Sequence, residues 1–342
     1  MNVRVNDIAV ANPVACYTQE QMLELLGLAD DPFAQTIFAR CGVEQRHFDL
    51  APGTFARTLQ ERTEETEQQL LRLAIEAVDR LALDPAEIGT VVTATYYSLG
   101  GPTLAHKLIE HYDMNPTTDK YHVVGVGCAS SVPLFKLAAQ SMRDHPGKHA
   151  LVVAAESITG FMTTVARDDE QVKTIGSSLF GDGCAAAMLT NGVSTDGPAI
   201  LAARQHQIED TLATVNMRIA ATDSFMEIGR ELPKLARRRL RELVEGFLSE
   251  ADPPREIEAI DHWVIHPGGR GIIDGVQMGL GLSDEDVAIS RDVLARFGNM
   301  GTPSSFYVLR ETIARRAPQP GDCGMVVTIG PGVTVGLMLL SW

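Results

Sequence analysis

The strongest constraint on the fold is an order of strands, turns and helices that occurs twice along the chain. In the first half, short and continuously apolar runs bounded by glycine predict buried strands, and helical segments separate them. The second half repeats this order at a similar spacing. The matching segments are 91–95 with 263–265, 127–142 with 298–313, 151–155 with 325–329, and 184–189 with 333–340. This repeat indicates an internal duplication.

Strands covered on both faces and separated by helices are typical of an α/β protein. The repeat predicts two α/β halves, residues 1–195 and 196–342, whose sheets and helices form a five-layered α-β-α-β-α body. Apolar residues at helical spacing predict two further helices, at 19–30 and 58–83. The least repeat-like segment, 191–255, carries a basic run on a predicted helix, which indicates a solvated face or a site for an anionic ligand. The run consists of Arg237, Arg238, Arg239 and Arg241.

The charge balance narrows the classes of partner. The 342 residues include 29 Lys or Arg and 44 Asp or Glu, so the formal net charge is −15. A surface that binds nucleic acid needs clustered positive charge, and this chain repels phosphates over most of its surface. We therefore expect no nucleic-acid partner.

The cysteines and the chain ends suggest a cytoplasmic protein. Five cysteines show no CxxC pair, which argues against a zinc site and against a disulfide framework. Residues 1–13 contain charges and no continuous apolar core, so they do not resemble a secretory signal. The uncharged run 324–342 is broken by Gly330, Pro331 and Gly332, which favours two buried strands around a tight turn over a membrane span.

Cys128 is the candidate nucleophile. It follows an apolar run at 122–127, which we predict as a strand, and precedes the helical run 134–142. A thiol at a helix N-terminus experiences the positive end of the helix dipole, which favours the thiolate. Cys184 and Cys323 lie at predicted strand starts among small apolar residues, as ordinary buried cysteines do.

Two further polar residues fall at equivalent edges of the duplicated fold. His266 follows the predicted strand 263–265, at the strand end where α/β proteins bind their ligands. Asn299 precedes the predicted helix of the second half, where a helix cap is the simpler interpretation. A Cys, His and Asn set supports acyl transfer to a thiolate, followed by hydrogen bonding to the enolate that forms when a malonyl unit loses CO2. This chemistry requires neither a metal nor an organic cofactor.

Several motifs together resemble the signature of type III polyketide synthases of the chalcone synthase type, within the thiolase-like superfamily. Ketoacyl synthase III enzymes share that fold and the order of Cys, His and Asn, but their histidine motif is usually HisGlnAlaAsn. The motifs are GlyCys at 127–128, LeuPheGlyAspGly at 179–183, HisProGlyGly at 266–269, GlyAsnMet at 298–300 and GlyProGly at 330–332.

The resemblance implies that Cys128 carries the acyl group and that His266 and Asn299 drive decarboxylation of malonyl-CoA. It implies a homodimer, with acyl-CoA, malonyl-CoA or an acyl carrier protein as partners. The remaining residues that it assigns contact substrate. They are Phe180 and either Phe225 or Met226 as gatekeepers, Tyr96, Tyr97, Gly330 and Gly332 at the cavity, and Arg40 and Arg46 on the CoA phosphates.

Tyr96 and Tyr97 stand where the family usually has small Thr or Ser residues, which predicts a short polyketide product. Two alternatives remain open. One is a ketoacyl-synthase-III-like acyltransferase that passes the acyl group to an alcohol or an amine without decarboxylation. The other is a non-catalytic partner of another synthase.

Overall fold

A computed structural model describes residues 3–50, 53–54, 57–96, 98, 100–159, 171–191, 197–219 and 224–342. The strands are β1 Val3–Ala11, β2 Cys16–Thr18, β3 Gln45–His47, β4 Ile88–Ala94, β5 Asp119–Val123, β6 His149–Glu156, β7 Gly183–Asn191, β8 Ala199–Gln207, β9 Val215–Ile219, β10 Ser224–Ile228, β11 His262–Ile265, β12 Cys323–Gly330 and β13 Thr334–Ser341. The α-helices are α1 Gln19–Leu25, α2 Pro32–Arg40, α3 Leu59–Val78, α4 Leu104–His111, α5 Ser131–Ser141, α6 Gln171–Leu179, α7 Leu232–Ser249, α8 Arg270–Leu280, α9 Asp284–Phe297 and α10 Pro303–Arg316.

The large sheet follows the predicted duplication. Within the described ranges its order is β11-β12-β13-β8-β1-β7-β6-β4-β5. From the join between β8 and β1, each half runs outward through two antiparallel pairs and then a parallel pair. The two halves therefore repeat one topology. The segment 191–255, which we expected to be the least repeat-like, contributes β8, and this strand occupies the position that β1 has in the first half.

The two half-sheets are also hydrogen-bonded to each other at the join between β8 and β1. The link is short, with Arg4 paired to Ala199 and the Val5 amide donating to the Pro198 carbonyl at 2.9 Å. On either side of this link the half-sheets face each other across α5 and α10, both of which contact strands of both halves.

The layers are held by three hydrophobic clusters. The central cluster contains Phe135 of α5 and Phe306 of α10, packed between inward-facing strand residues of both halves. A second cluster lies under α3 and α4, and a third joins α7 and α8 to the outward faces of β11, β12 and β13. This arrangement confirms the predicted five-layered thiolase-like body. Within the described residues, no helix is long and apolar enough to span a bilayer.

Several predicted boundaries shift for local reasons. Strand β5 ends at Val123, earlier than predicted, because Gly125 and Gly127 adopt φ of +82° and +55° and turn the chain. Helix α3 begins at a capping box between Thr58 and Glu61 and ends at Val78. The uncharged C-terminal run forms β12 and β13 around the turn at Gly330, as predicted.

Candidate active site

Three side chains from both halves of the chain meet at one small cavity. Cys128, His266 and Asn299 all line one small cavity of about 30 Å³. His266 follows β11, and Asn299 lies between α9 and α10. The duplicated topology therefore brings the three predicted chemical groups together at the carboxyl end of the parallel strands, where α/β proteins place their ligands.

Cys128 sits in a single 3-10 turn, Gly127–Ala129, directly before α5. The turn is packed against the last glycine loop of the chain. A Cβ atom on Gly330 would lie 2.6 Å from the Ala129 backbone nitrogen, closer than real Cβ atoms come to other atoms. Glycine at position 330 thus permits the close approach that holds the nucleophile turn in place.

Asn299 is fixed by hydrogen bonds on both its backbone and its side chain. Its backbone pairs with the segment around Phe180, and its Oδ1 accepts from the Gly301 amide at 2.9 Å. Its Nδ2 donates to the Gly268 carbonyl at 3.3 Å and lies 4.0 Å from the Cys128 Sγ. One N–H of this amide is therefore anchored, and Nδ2 remains beside the nucleophile.

His266 is oriented by its backbone. Its amide donates to the Val327 carbonyl at 2.9 Å, and its own carbonyl accepts from the Gly268 amide at 2.9 Å. Within the described residues, neither ring nitrogen has a hydrogen-bond partner, although both are buried. Burial lowers the pKa of His266 to about 3, so the imidazole is neutral at physiological pH. An unpartnered, neutral imidazole in a reaction cavity is available to a substrate.

The helix N-terminus predicts a thiolate-rich Cys128, and in the structure burial acts against the charged form of this side chain. Burial, together with the nearby Glu156 carboxyl group, raises the pKa of Cys128 to about 12, against an opposing hydrogen bond from Asn299. Burial in the cavity disfavours both charged forms. It therefore favours a neutral thiol and a neutral imidazole in the structure without substrate.

The predicted substrate-contacting residues fall into three groups. Phe180, Met226 and Gly330 line the cavity, whereas Gly332 is outside its lining. The Tyr96 ring packs beside the nucleophile turn, since a Cβ atom on Gly127 would meet Tyr96 Cε2 at 3.2 Å. Tyr97 lies outside the described residues, as does the side chain of Phe225, whose backbone belongs to β10.

A wider cleft of about 230 Å³ adjoins the cavity. The two spaces share the lining residues Ile228, Gly268 and Ile272. Among the described residues, the cleft lining includes three arginines and no acidic side chain. The arginines are Arg40, Arg230 and Arg270. An exposed positive cleft leading to a buried cavity suits a ligand with a phosphate-bearing end and an apolar reactive end.

Arg46, the second arginine expected to bind CoA, has a different environment. It is fully buried and donates to the carbonyls of Ser177 and Phe180 and to Gln19 Oε1. Its guanidinium also lies over the rings of Phe38 and Phe48. This side chain offers no surface to a phosphate, and its geometry is that of a structural anchor.

Sequence reasoning missed four residues around the site. Arg270 directly follows the HisProGlyGly motif, so its position was a usable signal, whereas Arg230 reaches the cleft from a segment with no motif. Glu156 and Thr302 lie behind Cys128, fully buried and hydrogen-bonded to each other. Because the two residues lie far apart along the chain and belong to no recognised motif, the sequence did not predict their hydrogen bond.

Two family models cover the chain. The model described as FAE1/Type III polyketide synthase-like protein matches residues 9–223, and the model described as chalcone and stilbene synthases, C-terminal domain, matches residues 199–341. Together they span both halves of the duplicated fold.

Individual relatives of this chain indicate the same family as the two family models. The chain is 24% identical to 3,5-dihydroxyphenylacetyl-CoA synthase of Amycolatopsis balhimycina, over 99% of this chain and 93% of the relative. It is 33% identical to the alpha-pyrone synthesis polyketide synthase-like Pks18 of Mycobacterium tuberculosis, over 75% of this chain and 65% of the relative. Its structure matches PKS-I from the brown alga Ectocarpus siliculosus with a TM-score of 0.90 and 25% identity, over 99% and 98% of the two chains. With a matching fold, a matching family model over more than half its length and three converging chemical groups, this chain belongs to the type III polyketide synthase family.

Proposed function

We propose that this chain is a condensing enzyme that loads an acyl group from an acyl-CoA onto Cys128 and extends it with malonyl-CoA to a short polyketide. The observation that carries the proposal is the convergence of Cys128, His266 and Asn299 on one buried cavity that adjoins a positive cleft. The family supplies the reaction class, and the residue roles below are the proposal.

In the loading step, Arg40, Arg230 and Arg270 bind the CoA phosphates in the cleft. The thioester passes between Ile228 and Ile272 to the cavity. The Cys128 sulfur attacks the thioester carbon while its proton moves to His266, and the proton then leaves on the CoA thiol. Proton transfer during the attack suits a resting pair that is neutral, because burial disfavours both charged forms.

In the extension step, malonyl-CoA occupies the same cleft. As CO2 leaves, negative charge develops on the thioester oxygen, where the Nδ2 group of Asn299 and the N–H of neutral His266 donate hydrogen bonds. The enolate carbon then attacks the acyl carbonyl on Cys128, and the cysteine sulfur departs. Both donors are fixed before substrate binds, so little reorganisation is needed at the moment of reaction.

Four further properties remain proposals. From the family resemblance we infer a homodimer, an acyl carrier protein as the alternative donor, and CoA thioesters as the sole small-molecule requirement. We also retain the division of the chain at residues 195 and 196, with the nucleophile in the first half and His266 and Asn299 in the second.

Incubation with malonyl-CoA and a panel of acyl-CoA thioesters tests the proposal. Intact-protein mass spectrometry reports acylation, and CO2 release reports decarboxylation, with Cys128→Ala as the control. Acylation of Cys128 with CO2 release supports condensation. Acylation without CO2 release supports simple acyl transfer to an alcohol or an amine, and the absence of both supports a non-catalytic partner.

A further inference from the structure

The buried Arg46 holds the end of helix α6 and the residues that follow it, 177–181, which we call the Phe180 segment. Its Nη1 donates to the carbonyl of Ser177 at 2.6 Å and to the carbonyl of Phe180 at 2.8 Å. Ser177 belongs to the last turn of α6, where carbonyl groups have no partner within the helix. The negative end of the helix dipole also favours a cation at this place. Arg46 therefore fixes both the helix end and the Phe180 segment.

The Phe180 segment in turn fixes the backbone of Asn299. The Asn299 amide donates to the Leu179 carbonyl at 2.8 Å, and the Asn299 carbonyl accepts from the Gly181 amide at 3.1 Å. Both chain neighbours of Phe180 thus bond to Asn299, while the Phe180 carbonyl itself bonds to Arg46. Because the backbone sets the direction in which a side chain leaves it, the position of Asn299 Nδ2 depends on this segment.

The aliphatic part of the Arg46 side chain packs on the glycine directly before Asn299. A Cβ atom on Gly298 would lie 2.9 Å from Arg46 Cγ, and a Cβ atom on Gly181 would lie 3.4 Å from Arg46 Cβ. Gly298 adopts φ of +69°, a left-handed conformation that few other residues adopt. The chain thus turns into Asn299 directly against Arg46, and this one side chain contacts both segments that meet at Asn299.

The chemistry of Arg46 favours a role in setting positions over a role in filling space. Within the part of the chain that the structure describes, no carboxylate pairs with its guanidinium, whose remaining hydrogen bond goes from Nη2 to Gln19 Oε1 at 2.8 Å. The rings of Phe38 and Phe48 lie 5.6 Å and 5.4 Å from the guanidinium carbon. A buried charge costs more free energy than an apolar side chain of similar shape. A guanidinium, however, offers several donors in one rigid plane, which a lysine ammonium does not.

We propose that Arg46 is a positioning residue that holds the Phe180 segment against Gly298 and so sets where Asn299 Nδ2 lies when the enolate forms. The guanidinium does not touch substrate. Its effect passes through the backbone hydrogen bonds between the Phe180 segment and Asn299. The inference rests on the proposed function, because it takes Asn299 as a donor in the decarboxylation of malonyl-CoA.

The test is the rate of CO2 release from malonyl-CoA per acylatable Cys128, with acylatable sites counted by intact-protein mass spectrometry after exposure to an acyl-CoA. Arg46→Lys keeps the charge and most of the length of the side chain and loses the rigid set of donors. We expect its kcat for decarboxylation to fall by roughly threefold to 30-fold, because small displacements of a positioned group slow a reaction strongly. KM for malonyl-CoA should stay within about twofold, since the guanidinium does not contact CoA. Exposed Arg143→Lys is the matched control and should follow the wild type.

A double-mutant cycle separates positioning of Asn299 from a general structural role. In the Asn299→Ala background, Arg46→Lys should cause no further loss of decarboxylation, because a donor that is absent cannot be displaced. A general loss of structure would instead lower the rate by the same factor in both backgrounds. Counting acylatable sites removes unfolded molecules from the comparison.

A milder variant covers the case in which Arg46→Lys fails to fold. Gln19→Leu removes the acceptor of Arg46 Nη2 and leaves the buried arginine in place. We expect it to slow decarboxylation by roughly twofold to fivefold, again only when Asn299 is present. Wild-type rates per acylatable site in the folded variants, or an equal loss in the Asn299→Ala background, overturn this inference alone. A wild-type protein that releases no CO2 overturns the proposed function, and this inference with it.

Discussion

The reaction cavity and the entry cleft share a wall and differ in almost every other physical property. The cavity holds about 30 Å³ and contains a thiol, an imidazole and an amide, all neutral at rest. The cleft holds about 230 Å³ and carries three exposed arginines. Exposed side chains keep their charge because water solvates it, whereas burial favours the uncharged forms of titratable side chains. We therefore expect changes in the cavity to alter the chemical steps and changes in the cleft to alter substrate affinity.

The largest expected effect is at the nucleophile. Cys128→Ala should abolish product formation, because Cys128 supplies the only thiol among the described residues that line the cavity. Cys184→Ala is the matched control, since that thiol is buried inside β7, and Cys323→Ala serves in the same way in the other half. Product assays and intact-protein mass spectrometry measure both, and acylation found on Cys184 or Cys323 would remove Cys128 from its assigned role.

The next largest effect is expected at Asn299 and His266, the two proposed hydrogen-bond donors to the enolate. Asn299→Ala and His266→Ala should each slow decarboxylation of malonyl-CoA by roughly 100-fold or more, the scale for loss of one oxyanion donor. Asn299→Asp sharpens the test, since its carboxylate still accepts from the Gly301 amide and cannot donate to the enolate. CO2 release measures the step. Asn299→Ala should still acylate Cys128, and failure of both steps in this variant would indicate a collapsed site.

Arg40 in the cleft and the buried Arg46 are expected to affect different properties, substrate binding and protein stability. Arg40→Ala should raise KM for CoA thioesters by roughly tenfold with little change in kcat, because a charge-assisted bond remote from the reacting carbon contributes about 1.5 to 3 kcal/mol to both ground and transition states. Arg46→Ala should instead lower the free energy of unfolding by about 3 kcal/mol, because it leaves two buried carbonyls without their donor. Steady-state kinetics gives KM and kcat for both variants, and denaturant unfolding gives their free energies of unfolding. A selective KM effect in Arg46→Ala would return that residue to the CoA site.

A smaller effect is expected on product length. The Tyr96 ring packs beside Gly127, so Tyr96→Thr should enlarge the cavity next to the nucleophile and add about one or two ketide units to the product. Product profiling by mass spectrometry measures this. An unchanged chain length with retained activity would place the tyrosine in a packing role only.

The smallest effect is expected when His266 is replaced and the alkylation of Cys128 is measured. Burial lowers the pKa of His266 to about 3, so between pH 5 and pH 9 its ring carries no charge and does not stabilise a resting thiolate. His266→Ala should therefore leave the pH profile of Cys128 alkylation nearly unchanged over this range. A shift of that profile to higher pH would indicate an ion pair between the His266 imidazolium and the Cys128 thiolate.

The sequence was sufficient for features that depend on local order. The repeated apolar runs predicted β4, β6, β7, β12 and β13, because strands buried on both faces must be continuously apolar. The same order predicted that Cys128, His266 and Asn299 would meet, since equivalent strand ends of a duplicated fold lie together. These inferences needed only periodicity and the positions of glycine.

Only the tertiary structure decided which charged side chains are exposed and which are buried. Arg40 and Arg46 lie six positions apart and look equivalent in the sequence, yet one lines the cleft and the other is fully buried. The neutral state of Cys128 and His266 follows from burial by segments far along the chain, which outweighs the local effect of a helix N-terminus. Desolvation of a side chain depends on the atoms packed around it from every side, and no single segment of the sequence specifies those atoms.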